Sequence, residues 1–463
     1  MNSFKKIEQF GSRSAVYAER EYSYAEMGGI ADAICAQVGE RTLVFCLCSN
    51  NKESLFGYVG FIRGGVVPVL LDASIQPDRL QRLIALYKPA YIWAESENQS
   101  LSNAMDHSFV YGNYTLFKNP ERFQQELDEH LALLLTTSGS TGSPKFVRLS
   151  YENIFKNAES IAEYLDIKPD DKPITTLPMN YSYGLSIINS HFIKGATVIA
   201  TDASILKKEF WDLCKEQRAT TFGGVPFVYE MLDRLKFEAF DLPSLKTLTQ
   251  AGGKLNPGLA SKFAAVCNEK GMRFFTMYGQ TEATARMSYL PHEKNQAKVG
   301  SIGIAIPGGE LMLQDEEGNN ITAPHVNGEL IYKGANVSLG YAESLADLSK
   351  TDDNGGVLHT GDLAYVDEDG YFYITGRIKR IIKVAGSRIS LDEVEELLGE
   401  HGHECICSGT DDRMHVYTLK EDCVQIKKII KEKLNLKGVK VTEIKEIPRN
   451  QFGKILYSEL PAG

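Results

Sequence analysis

The sequence predicts an α/β protein with a β-rich section and a small α+β unit at its C-terminal end. Three observations carry this expectation. Strand-like and helix-like segments alternate through the first 240 residues, short turn-punctuated strands fill residues 299–376, and a compact mixed unit follows residue 379. Alternation of the first kind argues for parallel sheets covered by helices. At 463 residues the chain is too long for one ordinary core, so two or more domains are expected.

The elements follow in order. TLVFCLC is a strand candidate, SLFGYVGFIRGG a helix ending in glycine, VVPVLLD a strand, QPDRLQRLIALY a helix and YIWAE a strand. ATVIAT, ATTFGGV and RFFTMYG are further buried strands with helices between them. Between 299 and 376, QDEEGNN and VDEDGYFYITG supply the Gly/Asn/Asp turns of an antiparallel region. After 379 come the strand RIIKVAG, the helix SLDEVEELLGE, the strands ECICSG and MHVYTLK, the helix VQIKKIIKEKL and the strand KVTEIKEI. No internal repeat or long flexible linker separates them.

Composition excludes several classes of function. Hydrophobic residues make up 43% and charged residues 24%, a globular mix. A net charge of −10 without a Lys/Arg block argues against a nucleic-acid partner. From Lys379 onward there are 15 Lys+Arg against 14 Asp+Glu, so the acidity lies in the front section and the balance shifts near 379. The eight cysteines form no CxxC pair and read as free core thiols of a reducing compartment. The N-terminal stretch lacks the apolar core of a signal peptide. The most apolar run, LFGYVGFIRGGVVPVLLDA, is broken by Arg63 and four glycines, so no membrane span is expected and the protein is read as cytoplasmic.

The sharpest motif is LALLLTTSGSTGSPKFVR, Leu131 to Arg148, in which an apolar strand runs into a loop of Thr, Ser and Gly ending in a lysine. The segment YENIFKNAESIAEYL follows as a helix. Glycines let backbone N–H groups turn toward a phosphate, the hydroxyls of Thr137, Ser138, Ser140 and Thr141 add donors beside Gly139 and Gly142, and Lys145 adds charge. The spacing is not the Walker pattern, because Lys145 follows Pro144. Taken alone, such a loop is also compatible with a flexible surface turn.

Four further stretches stand in order behind it: YGQTEAT at Tyr278–Thr284, TGD at Thr360–Asp362, GRIKRIIKVAGSR at Gly376–Arg388 and PRNQFGK at Pro448–Lys454. With TSGSTGSPK, these resemble the ordered motifs of the adenylate-forming superfamily, which includes acyl- and aryl-CoA synthetases, the adenylation domains of peptide synthetases and firefly luciferase. The resemblance covers essentially the whole chain.

It implies a large N-terminal AMP-binding domain, 1–378, of two α/β subdomains plus a β-rich subdomain. A small mobile α+β domain, 379–463, would carry a catalytic lysine. It further implies an enzyme that uses ATP and Mg²⁺ to convert a carboxylic acid into an acyl-adenylate, releasing pyrophosphate. The acyl group would then pass to the thiol of CoA or of a separate carrier protein's phosphopantetheine arm. In-line attack of one anion on another makes positioning and charge stabilisation the dominant catalytic requirements.

By the resemblance, Thr137–Lys145 hold the β- and γ-phosphates. Gly252, Gly253 and Lys254 line the adenine with Tyr278, within a motif that continues through Gly279 and Gln280. Thr281 stands near the α-phosphate, and Glu282 is a hard oxygen ligand for Mg²⁺. Asp362 accepts from the ribose hydroxyls, and Arg377 reaches the ribose or a phosphate. Lys454 bridges the carboxylate and α-phosphate, Lys379 is the hinge, and Arg388 meets the phosphates of the thiol carrier. Plainer readings stand beside these: a helix N-terminal carboxylate for Glu282, a turn aspartate for Asp362, a solvated strand-end arginine for Arg377, an exposed tail lysine for Lys454.

The stretch LPMNYSYGLSIINS, 177–190, matches the family segment beside the carboxylate. Many acyl- and aryl-CoA synthetases have a histidine where this chain has Tyr181, which makes Tyr181 the candidate group at the carboxylate. Peptide-synthetase domains have an aspartate where this chain has Ser182. No acid occurs from Leu177 to Ser190, which disfavours α-amino acids, since a buried ammonium would lack a counter-charge. Tyr183, Gly184, Phe222, Gly223, Val225 and Pro226 suggest an apolar pocket, with core packing as the alternative. Two rival functions share the motifs: adenylation followed by an oxidative or other non-thiol step, and non-catalytic adenylate binding.

Overall fold

The computed structural model describes residues 3–122, 126–136, 145–384, 387–419, 422–434, 436, 439–449 and 455–461. It divides into two compact units. The first comprises Met1–Val299, Ala305–Glu310 and Lys333–Leu358, and the second Gly300–Ile304, Leu311–Tyr332 and His359–Gly463.

Two large sheets build the first unit. In one, Leu131–Thr136, Val67–Asp72, Leu43–Cys48 and Tyr91–Glu95 run parallel as neighbours. All six residues of Leu43–Cys48 are buried, as an unbroken apolar run requires when helices cover both faces. In the other, Arg273–Tyr278, Thr247–Gln250, Thr221–Gly224, Pro173–Ile174, Val198–Ile199 and Ser14–Tyr17 are parallel neighbours. The predicted parallel sheets are therefore present. The helix Lys52–Gly64 starts on Asn51, whose side chain accepts from the Ser54 N–H, and stops at Gly65 in the left-handed region at φ 82°.

The surroundings of the Thr/Ser/Gly loop differ from the expectation in one respect. Phe146–Ser150 forms a fully buried strand that pairs antiparallel with Leu131–Thr136. Two antiparallel strands therefore flank the motif in sequence, and the helix Tyr151–Tyr164 begins only after the second, in a capping box between Ser150 and Asn153. The sequence assigns no element between Lys145 and that helix, because a five-residue strand leaves little periodic signal.

The second unit contains a five-stranded sheet ordered Asn320–Ile321, Gly309–Gln314, Gly328–Gly334, Val357–Val366, Phe372–Arg377, the expected β-rich section. Beyond it lie the hairpin Ile381–Val384 with Ser387–Ser390, and a three-stranded sheet of Cys405–Thr410, Arg413–Thr418 and Lys440–Glu443. The helices Leu391–Glu400 and Cys423–Leu434 accompany them. This last part has its own apolar cluster, drawn from Ile382, Val384, Leu391, Val394, Leu398, Cys407, Val416, Ile426 and Ile430 among others. All eight cysteines are free, and Cys46, Cys48, Cys405 and Cys407 are buried as expected. No helix among the described residues is long and apolar enough to cross a membrane.

Candidate active site

The strand Arg273–Tyr278 ends at Gly279, where a Cβ would lie 1.8 Å from the Ala285 carbonyl oxygen, so only glycine fits this return of the chain. A 3₁₀ turn, Thr281–Ala283, follows. Three bonds fasten the turn: Ser338 N–H to the Glu282 carbonyl at 2.9 Å, Asn336 Nδ2 to the Ala283 carbonyl at 2.9 Å, and Thr284 Oγ1 to the Asn336 carbonyl at 2.7 Å. Thr284 itself sits at φ 65° and ψ −58°, costly for a β-branched residue and held there by those contacts. Glu282 thus stands in a single 3₁₀ turn and not at the N-terminus of an α-helix.

The Glu282 side chain accepts a hydrogen bond of 2.7 Å from the Tyr341 hydroxyl. Lys145 places its Nζ 3.9 Å from the centre of the Tyr341 ring. The cation of one motif and the carboxylate of another thus converge on a single tyrosine. Burial, with the neighbouring Glu282 carboxylate adding to it, pushes the Tyr341 phenol above its ordinary range, so it stays a donor to Glu282.

Tyr341 was not singled out in the sequence, where it stands in GYAES without a motif of its own. Arg148 positions it. This arginine is fully buried and donates to the carbonyls of Tyr341 (3.1 Å), Lys350 (2.5 Å), Thr351 (3.1 Å) and Leu339 (2.6 Å), and to Asp353 Oδ2 (2.6 Å). Those bonds hold Tyr341–Ala342 against Phe146–Val147 at the edge of the sheet.

Thr281 Oγ1 lies 3.1 Å from Ser182 Oγ, which ties the turn to the helix Ser182–Phe192. Tyr181 precedes that helix and is partly exposed; burial pushes its phenol up to about 12, against the pull of the Arg286 charge. Gly252 has φ 86°, and a Cβ there would stand 2.6 Å from the Tyr181 hydroxyl. Gly253 is tight against Pro226, and its carbonyl accepts from Gln250 Nε2 at 2.9 Å. Lys254 is exposed, and Gln280 Nε2 reaches the Tyr278 hydroxyl at 3.3 Å.

Tyr183 is buried and donates to the Thr249 carbonyl at 2.8 Å. Of the suggested pocket residues, Phe222 belongs to the core instead: its ring stacks on Trp211 and packs against Phe210. Gly223 abuts Ile187 and the Tyr183 hydroxyl, and Gly184 lies against the Pro178 carbonyl. Val225 is buried.

In the second unit, Asp362 lies within the strand Val357–Val366 and is 2% exposed, unlike a turn aspartate. Its Oδ1 meets Arg377 Nε at 2.9 Å, across the register that pairs the two residues. Arg377 is thus ion-paired, although its side chain is largely exposed. Asp362 N–H donates to Thr360 Oγ1 at 3.1 Å, and Gly361, at φ 69°, donates to Glu329 Oε1 at 3.2 Å. Lys379 lies in the 3₁₀ turn Ile378–Arg380.

Beside it, Arg380 is held by Asp392 (2.5 Å) and Glu395 (2.6 Å) and packs on the Tyr457 ring. Asp392 also accepts from the Arg377 backbone N–H at 3.0 Å. Thr137, Ser138, Gly139, Ser140, Thr141, Gly142, Lys454 and the side chain of Arg388 lie outside the described residues; the Arg388 backbone pairs with Lys383.

The residues present fit a nucleotide and a magnesium ion in three respects. The Gly252 cradle would be filled by any Cβ, and among the described residues the Glu282 carboxylate retains a second oxygen for a hard cation and the buried Asn180 Oδ1 meets no hydrogen-bond partner.

The model of the family described as AMP-binding enzyme matches residues 4–342. A 2-succinylbenzoate–CoA ligase from Bacillus pumilus (strain SAFR-032) is 32% identical over 413 residues, covering 86% of this chain and 82% of the relative. A long-chain-fatty-acid–CoA ligase from Bacillus subtilis (strain 168) is 32% identical over 358 residues, covering 72% and 62%. Among solved structures, the O-succinylbenzoate coenzyme A synthetase from Bacillus subtilis in complex with AMP shares the fold, with a TM-score of 0.81 at 23% identity, covering 100% of this chain and 98% of that one. The motifs in order, the fold and the matched family agree: the chain belongs to the AMP-binding enzyme family, within the adenylate-forming superfamily of acyl- and aryl-CoA synthetases.

Proposed function

We propose that the chain is an AMP-forming acid–thiol ligase that activates a small carboxylic acid with ATP and passes the acyl group to the thiol of CoA or of a carrier protein's phosphopantetheine arm. A carboxylate oxygen attacks the α-phosphorus, the bond to pyrophosphate breaks, and an acyl-adenylate forms. A thiolate then attacks the acyl carbonyl carbon, and AMP leaves. The observation that carries this reading is the convergence of Lys145 and Glu282 on Tyr341, two motifs far apart in the chain presenting a cation and a carboxylate to one place.

In this reading Lys145 holds the β- and γ-phosphates with Thr137, Ser138, Gly139, Ser140, Thr141 and Gly142. Gly252, Gly253, Lys254, Tyr278, Gly279 and Gln280 line the adenine, and Thr281 faces the α-phosphate. Glu282 holds Mg²⁺, which when bound offsets phosphate charge; a single carboxylate suits an ion held mainly through substrate phosphates. Asp362 accepts from the ribose hydroxyls and Arg377 supports it. Tyr181 stands at the reacting carboxylate.

Residues 1–378 form the adenylation domain. Residues 379–463 form a domain that turns about Lys379, delivering Lys454 for adenylation and Arg388 for thiol transfer. The setting is cytoplasmic, where ATP and reduced thiols are available. The test is pyrophosphate release from ATP over a panel of aliphatic, aryl and amino acids, with CoA or a phosphopantetheinylated carrier as acceptor. Acid-dependent release followed by thioester formation is expected; no release with any acid would overturn the reading.

A further inference from the structure

Among the described residues three arginines are buried: Arg63, Arg148 and Arg286. Two have carboxylate partners. Arg63 meets Asp32 at 3.1 Å and also Glu8, and Arg148 meets Asp353 at 2.6 Å. Arg286, 2% exposed, has no carboxylate partner among the described residues, and its Nε has no hydrogen-bond acceptor.

Its guanidinium carbon instead lies 3.7 Å from the centre of the Tyr183 ring, and its charge acts on the phenols of Tyr164, Tyr181 and Tyr183. Tyr164 accepts from the Arg286 guanidinium and donates its own hydrogen bond to Met277 Sδ at 2.9 Å. A π-face offsets part of the cost of burying a cation but does not replace an anion.

The backbone at Arg286 is fixed independently of the side chain. Its carbonyl accepts from Asn157 Nδ2 at 2.9 Å and Asn336 Nδ2 at 3.0 Å. The guanidinium is therefore carried on a rigid mount beside Tyr183, in the 177–190 stretch assigned above to the acid. Tyr181, partly exposed, packs edge-on to Tyr183 with ring centres 6.3 Å apart, which leaves the Tyr183 ring between it and the Arg286 guanidinium as the shared neighbour of both.

We infer that Arg286 is the specificity-determining counter-charge for a second carboxylate on the substrate, which makes this a ligase for dicarboxylic acids. The inference rests on the adenylation reading. The reacting carboxylate is a poor partner for this guanidinium, because a buried ion pair would hold the oxygen charge that has to attack phosphorus. A second, unreactive carboxylate has no such conflict and completes the buried pair.

The experiment compares pyrophosphate release on matched dicarboxylic and monocarboxylic acids, aliphatic and aryl, for the parent, Arg286→Met and Arg286→Lys. The parent is expected to favour the dicarboxylic member of at least one pair by about 10²-fold in kcat/KM, the scale of one buried charge pair. Arg286→Met should collapse that ratio to a few-fold, and Arg286→Lys should retain part of it. Thermal melting without ligands separates recognition from folding: Arg286→Met should melt at or above the parent temperature, because a buried charge without an anion is removed. A parent that uses only monocarboxylic acids would overturn this inference alone. A Met variant that keeps the parent ratio, or melts lower, would do the same. Absence of release with every acid would overturn the adenylation reading and this inference with it.

Discussion

Arg148 and Arg286 are both enclosed in the first unit, yet their surroundings are opposite. Arg148 spends every donor on the chain around it, with four carbonyls and Asp353 satisfied. Arg286 leaves its Nε unused and rests on an aromatic face. The first is a clamp that fixes where Tyr341, and with it Lys145 and Glu282, can stand. The second is a charge that meets no carboxylate among the described residues. Scaffold polarity is compensated on folding, whereas site polarity is compensated on binding.

The largest effect should come from breaking the clamp. Arg148→Met removes five hydrogen bonds and the cation that pairs with Asp353, and should destabilise the protein by about 3–5 kcal/mol, read as a fall in chemical-denaturation midpoint. If Arg148→Met were no less stable than Arg286→Met, the contrast between the two arginines would be lost.

Next in size is a site residue with little scaffold role. Glu282→Ala should lower acid-dependent pyrophosphate release by about 10²–10³-fold, with melting temperature nearly unchanged. Lys454→Ala should lose a similar factor in adenylation while still forming thioester from a synthetic acyl-adenylate, and Arg388→Ala should show the reverse. Measuring the half-reactions separately decides it; equal loss of both in Lys454→Ala would remove the turning-domain account.

A third prediction moves to the second unit, where a buried charge is compensated and still costly. Burial pushes Glu395 up to about 7, although the Arg380 guanidinium and the Cys407 N–H pull it down. The folded protein then holds this proton between its unfolded value, near 4.5, and about 7, while the unfolded chain releases it. Stability conferred in that window must fall as pH rises from about 5 through 7, by about 1–3 kcal/mol, and level off above. Glu395→Gln should flatten this slope in urea midpoints; an unchanged slope would show that Glu395 stays ionised beside Arg380.

The smallest effect tests the link between clamp and site. Tyr341→Phe keeps the ring under Lys145 and the backbone in the grip of Arg148, but removes the hydroxyl that donates to Glu282. One hydrogen bond to a charged group is worth about 1.5–3 kcal/mol, so pyrophosphate release should slow by at most about 10–10²-fold. Full activity would mean that the hydroxyl does not orient the carboxylate.

Much of this was legible without coordinates. Strands such as Leu43–Cys48 and Arg273–Tyr278 are continuous apolar runs with glycine or polar stops, and helices such as Leu391–Glu400 announce themselves by period and cap. Lys145, Glu282, Asp362 and Arg377 stand in short motifs whose residue types match the charge they would meet. The strand Phe146–Ser150 was missed because five residues beside a glycine-rich loop carry too little pattern. Phe222 stays open in the sequence between pocket lining and core packing, because an apolar residue has the same signature whether it faces a ligand or Trp211.

The sequence by itself determined the fold class, the order of the motifs and the reaction family, because local propensity, hydrophobic period and short chemical motifs are properties of neighbouring residues. Only the tertiary structure decided that Tyr341 joins Lys145 to Glu282, that Asp362 is a buried strand residue paired with Arg377, and that, among the described residues, Arg286 is the buried arginine without a carboxylate partner. Those facts depend on which side chains meet across hundreds of residues and on what water is excluded from between them. Desolvation and long-range contact have no local signature: an arginine four positions after Glu282 looks the same in the chain whether it points to solvent or lies enclosed against a tyrosine ring.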